Sequence, residues 1–304
     1  MESVITHCIL CNSTSLKPLS AYRNHHLCRC SSCGLIFSQH NPDSHQLKEF
    51  YKQYSYDEYY YISPITLKRY REILSSLEKY RKLNRILDVG CGNGIFLSVA
   101  KEMGWECYGT EYSEKAVELC RKQGLSVLHG SLSDVYRQLP EVDVIISIEV
   151  LEHINTPNEE LSLFFALLRT GGVVYITTPN FNGLLRPILK EKYDIIAYPE
   201  HLTYYTPKTL RKAFRNHHFR PLWVKTTGIS VSRLKNALNK VGVKHENPYT
   251  ATSSDESLRE LSETKWFMGG LKKIVNGILS ITGTGLTIKG IFVKQSSPDS
   301  IHTF

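Results

Sequence analysis

Two groups of residues in this chain have the types and spacing that chemistry requires. The first is thiol. Cys8 and Cys11 form one Cys-x2-Cys pair, and after eighteen residues Cys30 and Cys33 form a second. Such a knuckle presents two sulfurs on one tight turn, and two knuckles complete the tetrahedron of a structural Zn²⁺ site. Cys28, His7, His25 and His26 lie close enough to be alternative ligands. About thirty residues bury little core, so a metal here would supply folding energy. The second group is Asp88-Val-Gly90-Cys-Gly92-Asn-Gly94, with Glu111 about twenty residues further on. The glycines let a ligand lie directly against the main chain and face the free N–H groups of a helix start. A carboxylate at Asp88 would repel a pyrophosphate but suits a cationic ligand. Glu111 can accept two hydrogen bonds from a ribose diol.

The elements that must position these residues can be read from periodicity. Ile86–Val89 is a short apolar run of the kind buried in a parallel sheet, and a helix over 94–103 comes after the glycines. Strands at 106–110, 125–129, 142–148 and 173–178 alternate with helices at 113–123 and about 157–169, the last ended by Gly171-Gly172. Five strands in βαβ order predict a parallel sheet with helices on both faces and a ligand at the strands' carboxyl ends. Ser63-Pro64 starts a lead-in helix over 64–83. Beyond Thr178 the rhythm changes. Residues 179–206 are irregular, a helix runs from Thr206 to about His217, and strands are expected at 219–226 and 287–294.

Composition bounds the class. No apolar run approaches the roughly 18–20 residues of a membrane span, and the N-terminus lacks a secretory pattern, so a cytoplasmic protein is expected, with peripheral membrane contact left open. Five of the eight cysteines fall within the first 33 residues, which in a reduced compartment argues for metal over disulfides. Residues 181–304 hold 19 Lys/Arg against 9 Asp/Glu, while the rest of the chain is near neutral. That basic third is either a solvated face or an attraction for an anionic substrate. Residues 46–62 are dense in tyrosine. They either pack between the cysteine-rich segment and the next domain or form a flap in which Tyr59 and Tyr60 reach a substrate.

Five motifs in order, D-V-G-C-G-N-G, G-T-E-Y-S, H-G-S-L-S-D, D-V-I-I-S-I-E-V-L-E-H-I and G-G-V-V-Y-I-T-T-P-N, span residues 84–180. Together they resemble class I S-adenosylmethionine-dependent methyltransferases. The resemblance implies an α/β, Rossmann-like sheet of seven strands, mostly parallel with one antiparallel strand, completed by 219–226 and 287–294, with a zinc-ribbon-like module in front. It implies that Asp88, Gly90, Gly92 and Gly94 hold the methionine end of S-adenosylmethionine. Glu111, with Tyr112 beside it, would hold the ribose. Ser131 and Leu132 would flank the adenine, and Ile148 and Glu149 would line the cofactor. The expected organisation is a zinc-binding module over 1–45, a linker and lead-in helix over 46–83, a methyltransferase domain over 84–296 with acceptor-side insertions at 179–206 and 229–283, and a tail over 297–304. V-L-E-H-I, T-T-P-N and P-E-H-L-T-Y-Y-T-P-K-T-L resemble ubiquinone-biosynthesis-like small-molecule methyltransferases. The cysteine segment resembles that of bacterial methyltransferases of sugar and surface-glycan pathways.

Methyl transfer to oxygen needs aligned reactants and removal of a proton. The titratable side chains nearest neutral pH on the acceptor side are His201 and His153, and Tyr204 and Tyr205 lie in the same segment as His201. The expected acceptor is a sugar, nucleotide-sugar or surface-glycan precursor methylated on oxygen. Two alternatives stand beside it: RNA, which would use the cysteine module and the basic third, and a scaffold that keeps the fold without turnover.

Overall fold

The computed structural model describes residues 3–42, 62–193, 195–228 and 266–296. Tyr59 and Tyr60, most of the 229–283 segment and the tail lie outside the described residues. Five short strands come first: β1 (Ser3–Val4), β2 (Leu16–Pro18), β3 (Leu27–Cys30), β4 (Ile36–Ser38) and β5 (His40–Asn41). The helix Pro64–Leu77 is next, its first turn capped by the Ser63 hydroxyl, which accepts the Ile65 N–H at 3.4 Å.

The apolar runs then form β6 (Arg85–Val89), β7 (Glu106–Glu111), β8 (Ser126–His129), β9 (Val142–Ile148) and β10 (Leu168–Pro179). The intervening helices are Ile95–Glu102, Glu114–Lys122 and Pro157–Leu167. After β11 (Thr203–Tyr204) and the helix Pro207–Asn216 come β12 (Phe219–Thr227), the helix Trp266–Thr282 and β13 (Thr287–Lys294). Seven strands join in the order β12-β13-β10-β9-β6-β7-β8. β6, β7, β8, β9 and β10 are mutually parallel neighbours, and β13 runs antiparallel to both β10 and β12. This is the expected mostly parallel sheet with one antiparallel strand. Its centre is β9, where Val142, Val144, Ile145 and Ile146 are fully buried. Each such side chain contributes about 1.5–3 kcal/mol by leaving water.

The chain runs from β6 outward to β7 and β8, then crosses back to place β9 on the other flank of β6. The strand order therefore reverses between β6 and β9, and ligands of open α/β sheets lie at the carboxyl end of such a switch point. The carboxyl ends there carry Asp88 to Gly94 and Ile148 to His153.

One expectation is corrected. Gly171-Gly172 does not end a helix. The helix stops at Leu167, and both glycines lie within β10, whose register against β9 shifts between Leu168 and Val173. A Cβ on Gly172 would stand 2.8 Å from the Asp143 carbonyl oxygen, so the glycine marks a close approach of two backbones. Beside it the buried Asp143 carboxylate accepts from Arg169 Nε at 2.5 Å and from the Leu83 N–H at 2.7 Å.

A second, four-stranded sheet has the order β11-β4-β3-β2. Its first strand comes from the acceptor-side segment near residue 203 and the rest from the cysteine-rich N-terminus. Leu35, Phe37, Tyr205, Leu210 and Phe214 share one buried core across that join.

Candidate active site

The cofactor side is built from the ends of β6 and β7. The Gly90 and Cys91 N–H groups both donate to the Thr110 carbonyl, at 2.9 and 3.0 Å, which clamps the glycine turn onto β7. Gly90 has φ +68°, and a Cβ there would stand 2.7 Å from Val150 Cγ2. The missing side chain is thus what lets the turn after β9 close on the turn after β6. Gly92 and Gly94 also have positive φ, and Gly94 opens the helix Ile95–Glu102. Glu111 is buried, and its two oxygens accept the Gly92 N–H at 2.9 Å and the Ser113 N–H at 2.8 Å. Asp88 is buried as well. Burial, then the negative charge of Glu111, hold its carboxyl well above the usual range; burial also raises Glu111. Two buried acids side by side favour a ligand with positive charge and hydroxyl donors, which fits the ammonium, sulfonium and ribose of S-adenosylmethionine.

Around this pair, His129 Nε2 donates to the Tyr112 carbonyl at 3.0 Å. The Ser131 N–H and hydroxyl both bond Asp134, at 3.0 and 2.5 Å, starting the short helix Leu132–Val135 with Leu132 buried. Ile148 ends β9. Glu149 then takes φ +54°, a left-handed conformation that costs a non-glycine residue on the order of 1–3 kcal/mol and clusters at functional sites. It is held by its N–H to Thr177 O at 3.0 Å and by the Thr177 hydroxyl to its Oε1 at 2.6 Å.

A second cluster, beyond β9, gathers Glu152, His153 and His201. The carboxyl of Glu152 accepts the Thr178 hydroxyl at 2.9 Å, and its backbone oxygen accepts the Leu202 N–H at 2.8 Å. Burial, then the charge of Glu149, hold its pKa well above the ordinary range. The two imidazoles meet edge to face, with centroids 4.9 Å apart. His153 Nδ1 bonds Glu200 O at 2.8 Å and His201 Nδ1 bonds Ile195 O at 2.7 Å. A carbonyl only accepts, so each Nδ1 carries the proton and Nε2 is the basic nitrogen. His153 also bonds the Glu149 backbone, which commits it to holding the turn. Burial lowers both histidines to about 4, with the charge of His201 adding to the shift at His153. Both rings are therefore neutral at pH 7. Ligand atoms of Glu152, His153 and His201 lie within 4.8 Å of one another, so this group could serve as a proton acceptor or hold a cation.

The tyrosines next to His201 are buried. The Tyr204 hydroxyl donates to His201 O at 2.9 Å, supporting that loop, and the Tyr205 hydroxyl has no partner among the described residues.

At the N-terminus, Cys8 Sγ and Cys33 Sγ are 3.4 Å apart, and Cys11 Sγ and Cys30 Sγ are 3.6 Å apart. Sulfurs placed 2.3 Å from one Zn²⁺ in a tetrahedron stand about 3.8 Å from each other. The four sulfurs, all within 4.8 Å, therefore have the shape of a tetrathiolate site. Cys28 lies outside that group. His7 bonds Thr6, His25 accepts the Tyr198 N–H, and His26 stacks on His40.

Residues 56–224 match a family described as a methyltransferase domain, more than half of the chain. The chain belongs to this methyltransferase family. Its domain is of the class I, S-adenosylmethionine-dependent kind. The ubiquinone biosynthesis O-methyltransferase of Bordetella avium is 29% identical over 150 residues, 45% of this chain and 59% of that protein. Its counterpart from Bordetella bronchiseptica is 27% identical over 224 residues, 67% of this chain and 83% of that one. The chain thus spans less than two thirds of the length of the first of these relatives and more of the second. Among solved structures, an S-adenosylmethionine-dependent methyltransferase from Archaeoglobus fulgidus superposes with a TM-score of 0.52 at 21% identity, covering 83% of this chain and all of that one, which shows the shared fold.

Three further residues support these turns, and periodicity and spacing do not point to them. Thr177 and Thr178 hold Glu149 and Glu152, and Asn158 ties the module to the domain by donating to the Ile9 and Leu10 carbonyls at 3.1 Å. The T-T-P-N motif was visible; the pairing of its threonines with the two glutamates was not.

Proposed function

We propose that the protein methylates a hydroxyl of a small-molecule acceptor, with His201 as the base. The observation that carries this is a buried imidazole, neutral at pH 7, with its proton fixed on Nδ1. S-adenosylmethionine, when bound, supplies an electrophilic methyl group on a sulfonium. Asp88 and Glu111 would hold its charged and hydroxylated ends, on a glycine turn that Gly90 lets close against Val150. His201 Nε2 would take the proton of the acceptor hydroxyl, leaving its oxygen free to accept the methyl group that the bound cofactor would supply. His153 orients the loop, and Glu152 joins β9, β10 and the His201 segment.

For the acceptor we propose a sugar, nucleotide-sugar or surface-glycan precursor. The support is the resemblance of the cysteine segment and the excess of Lys/Arg after residue 180. The four cysteines are proposed to hold one structural zinc. The test is S-adenosylhomocysteine release from a panel of nucleotide-sugars, catechols and RNA. Release with nucleotide-sugars supports the assignment. Release with catechols alone would move the acceptor toward the chemistry for which the relatives are named, and release with RNA alone would overturn the small-molecule reading.

A further inference from the structure

We infer that the four-cysteine module positions the acceptor site, passing its own order through β4 and β11 to His201. This rests on the reading of Cys8, Cys11, Cys30 and Cys33 as a zinc site.

The second knuckle is also the β3–β4 hairpin. The Cys30 N–H donates to Leu35 O, and the Gly34 N–H to Cys30 O, both at 2.9 Å. β4 leaves that hairpin directly and pairs with β11, Ile36 opposite Tyr204 and Phe37 opposite Thr203. The Ser38 N–H continues the ladder to Leu202 O at 2.8 Å. His201 is the next residue. On its other side, Leu202 bonds the Glu152 backbone and the Thr203 hydroxyl bonds Ile154 O at 2.6 Å. Further ties bracket the segment: Arg186 Nη1 donates to the Tyr22 hydroxyl at 2.9 Å, and the Tyr22 and Phe181 rings meet at 5.6 Å.

β11 is two residues long, and among the described residues the strand it pairs with is β4, while the adjoining Tyr205 forms a single bridge to Asn180. β4 in turn belongs to a module too small to order itself without a crosslink. The glycine turn and Glu111, in contrast, are held by bonds between the turn after β6 and the end of β7, and by the Ser113 N–H. Loss of the metal should therefore loosen the acceptor site and spare the cofactor site.

The test uses the full chain. Zinc content is measured first, by elemental analysis of the isolated protein and after zinc titration. Amide hydrogen exchange and S-adenosylhomocysteine affinity are then compared before and after chelation with EDTA. The expected result is one zinc per chain, at least tenfold faster exchange over residues 201–205 after chelation, and an S-adenosylhomocysteine Kd changed less than twofold. Ser38→Pro removes the ladder donor and leaves every cysteine in place. It should keep its zinc and its S-adenosylhomocysteine affinity while exchange over 201–205 still rises. If no zinc binds, the zinc reading falls and takes the inference with it. If zinc binds but exchange over 201–205 does not change on its removal, the zinc reading stands and the positioning role is refuted. If chelation unfolds the whole chain, Ser38→Pro alone decides, and unchanged exchange in that variant overturns the inference.

Discussion

Gly90→Ala tests how the two halves of the cofactor site meet. Gly90 sits at φ +68°, and an added Cβ would press on Val150 Cγ2 at 2.7 Å. Holding an L-residue in the left-handed region costs roughly 1–2 kcal/mol, and forcing a carbon into a packed contact costs about 1–3 kcal/mol. Val150 is short and branched, so it cannot swing its end away as a lysine would. The combined cost is roughly 2–5 kcal/mol, which at about 2–4 °C per kcal/mol lowers Tm by roughly 4–20 °C. Gly104→Ala is the matched control. Its φ is +84°, but the nearest atom is Arg81 Nη2 at 3.2 Å, the far end of a flexible side chain. It bears the backbone cost alone, roughly 2–8 °C. Because any relaxation must move either the glycine turn or the Glu149–Glu152 turn, Gly90→Ala should also weaken S-adenosylhomocysteine binding at least tenfold, and Gly104→Ala should leave it unchanged. Scanning calorimetry and titration calorimetry measure both effects. A Gly90→Ala protein no less stable than Gly104→Ala, with a Kd within twofold of wild type, would refute the contact between the turns.

His201→Asn keeps a donor near Nδ1 for Ile195 O and removes the basic nitrogen, so turnover should fall about 10²–10⁴-fold with S-adenosylhomocysteine affinity unchanged; turnover within threefold of wild type removes His201 as base. The same variant has a pH signature. Because the folded pKa of His201 lies near 4, below the ordinary 6.5, the unfolded chain binds a proton that the native chain refuses between those values, and wild type loses stability as pH falls through that window. His201→Asn lacks that loss, worth on the order of 3 kcal/mol at full extent, so its Tm relative to wild type should rise from pH 6.5 to pH 4; a constant difference contradicts the burial of a neutral ring. Glu160 opposes this trend in both proteins: burial raises it to about 7, so the native state gains stability as pH falls from there, and Glu160→Gln should steepen the acid-side loss of Tm. Cys11→Ser should abolish zinc binding and Cys28→Ser should retain it, by elemental analysis of each purified variant; equal metal content in the two would reassign the fourth ligand.

The sheet was legible because its strands state their burial locally. Ile86–Val89 and Val142–Ile148 are apolar almost without interruption, and the first runs straight into a glycine-rich turn. The Cys-x2-Cys spacing was legible for a similar reason, since each knuckle is one turn of chain. Gly171-Gly172 misled because a glycine that ends a helix and one that admits a neighbouring backbone look identical in sequence. The Asp143 carbonyl that decides between them is some thirty positions away and has no side-chain signature.

The acceptor side was illegible for a deeper reason. Its parts come from three distant places: Glu152 and His153 after β9, Thr178 at the end of β10, and His201 beside β11. What aligns them is mostly backbone. Leu202 N–H reaches Glu152 O, Ser38 N–H reaches Leu202 O, and both histidines lean on carbonyls. Backbone groups are the same in every residue, so no choice of side chain advertises that Ile36 will lie opposite Tyr204. The proposed cofactor half differs because its distinctive features are side chains, the carboxyls of Asp88 and Glu111, and a turn that closes on Val150 where Gly90 has none. That asymmetry separates the two functions physically. On the zinc reading, substitutions in the module would disturb the His201 segment first, because β4 pairs with β11 while β2, β3 and β4 do not pair with β6 or β7, whose turn meets the Glu149–Glu152 turn through Val150.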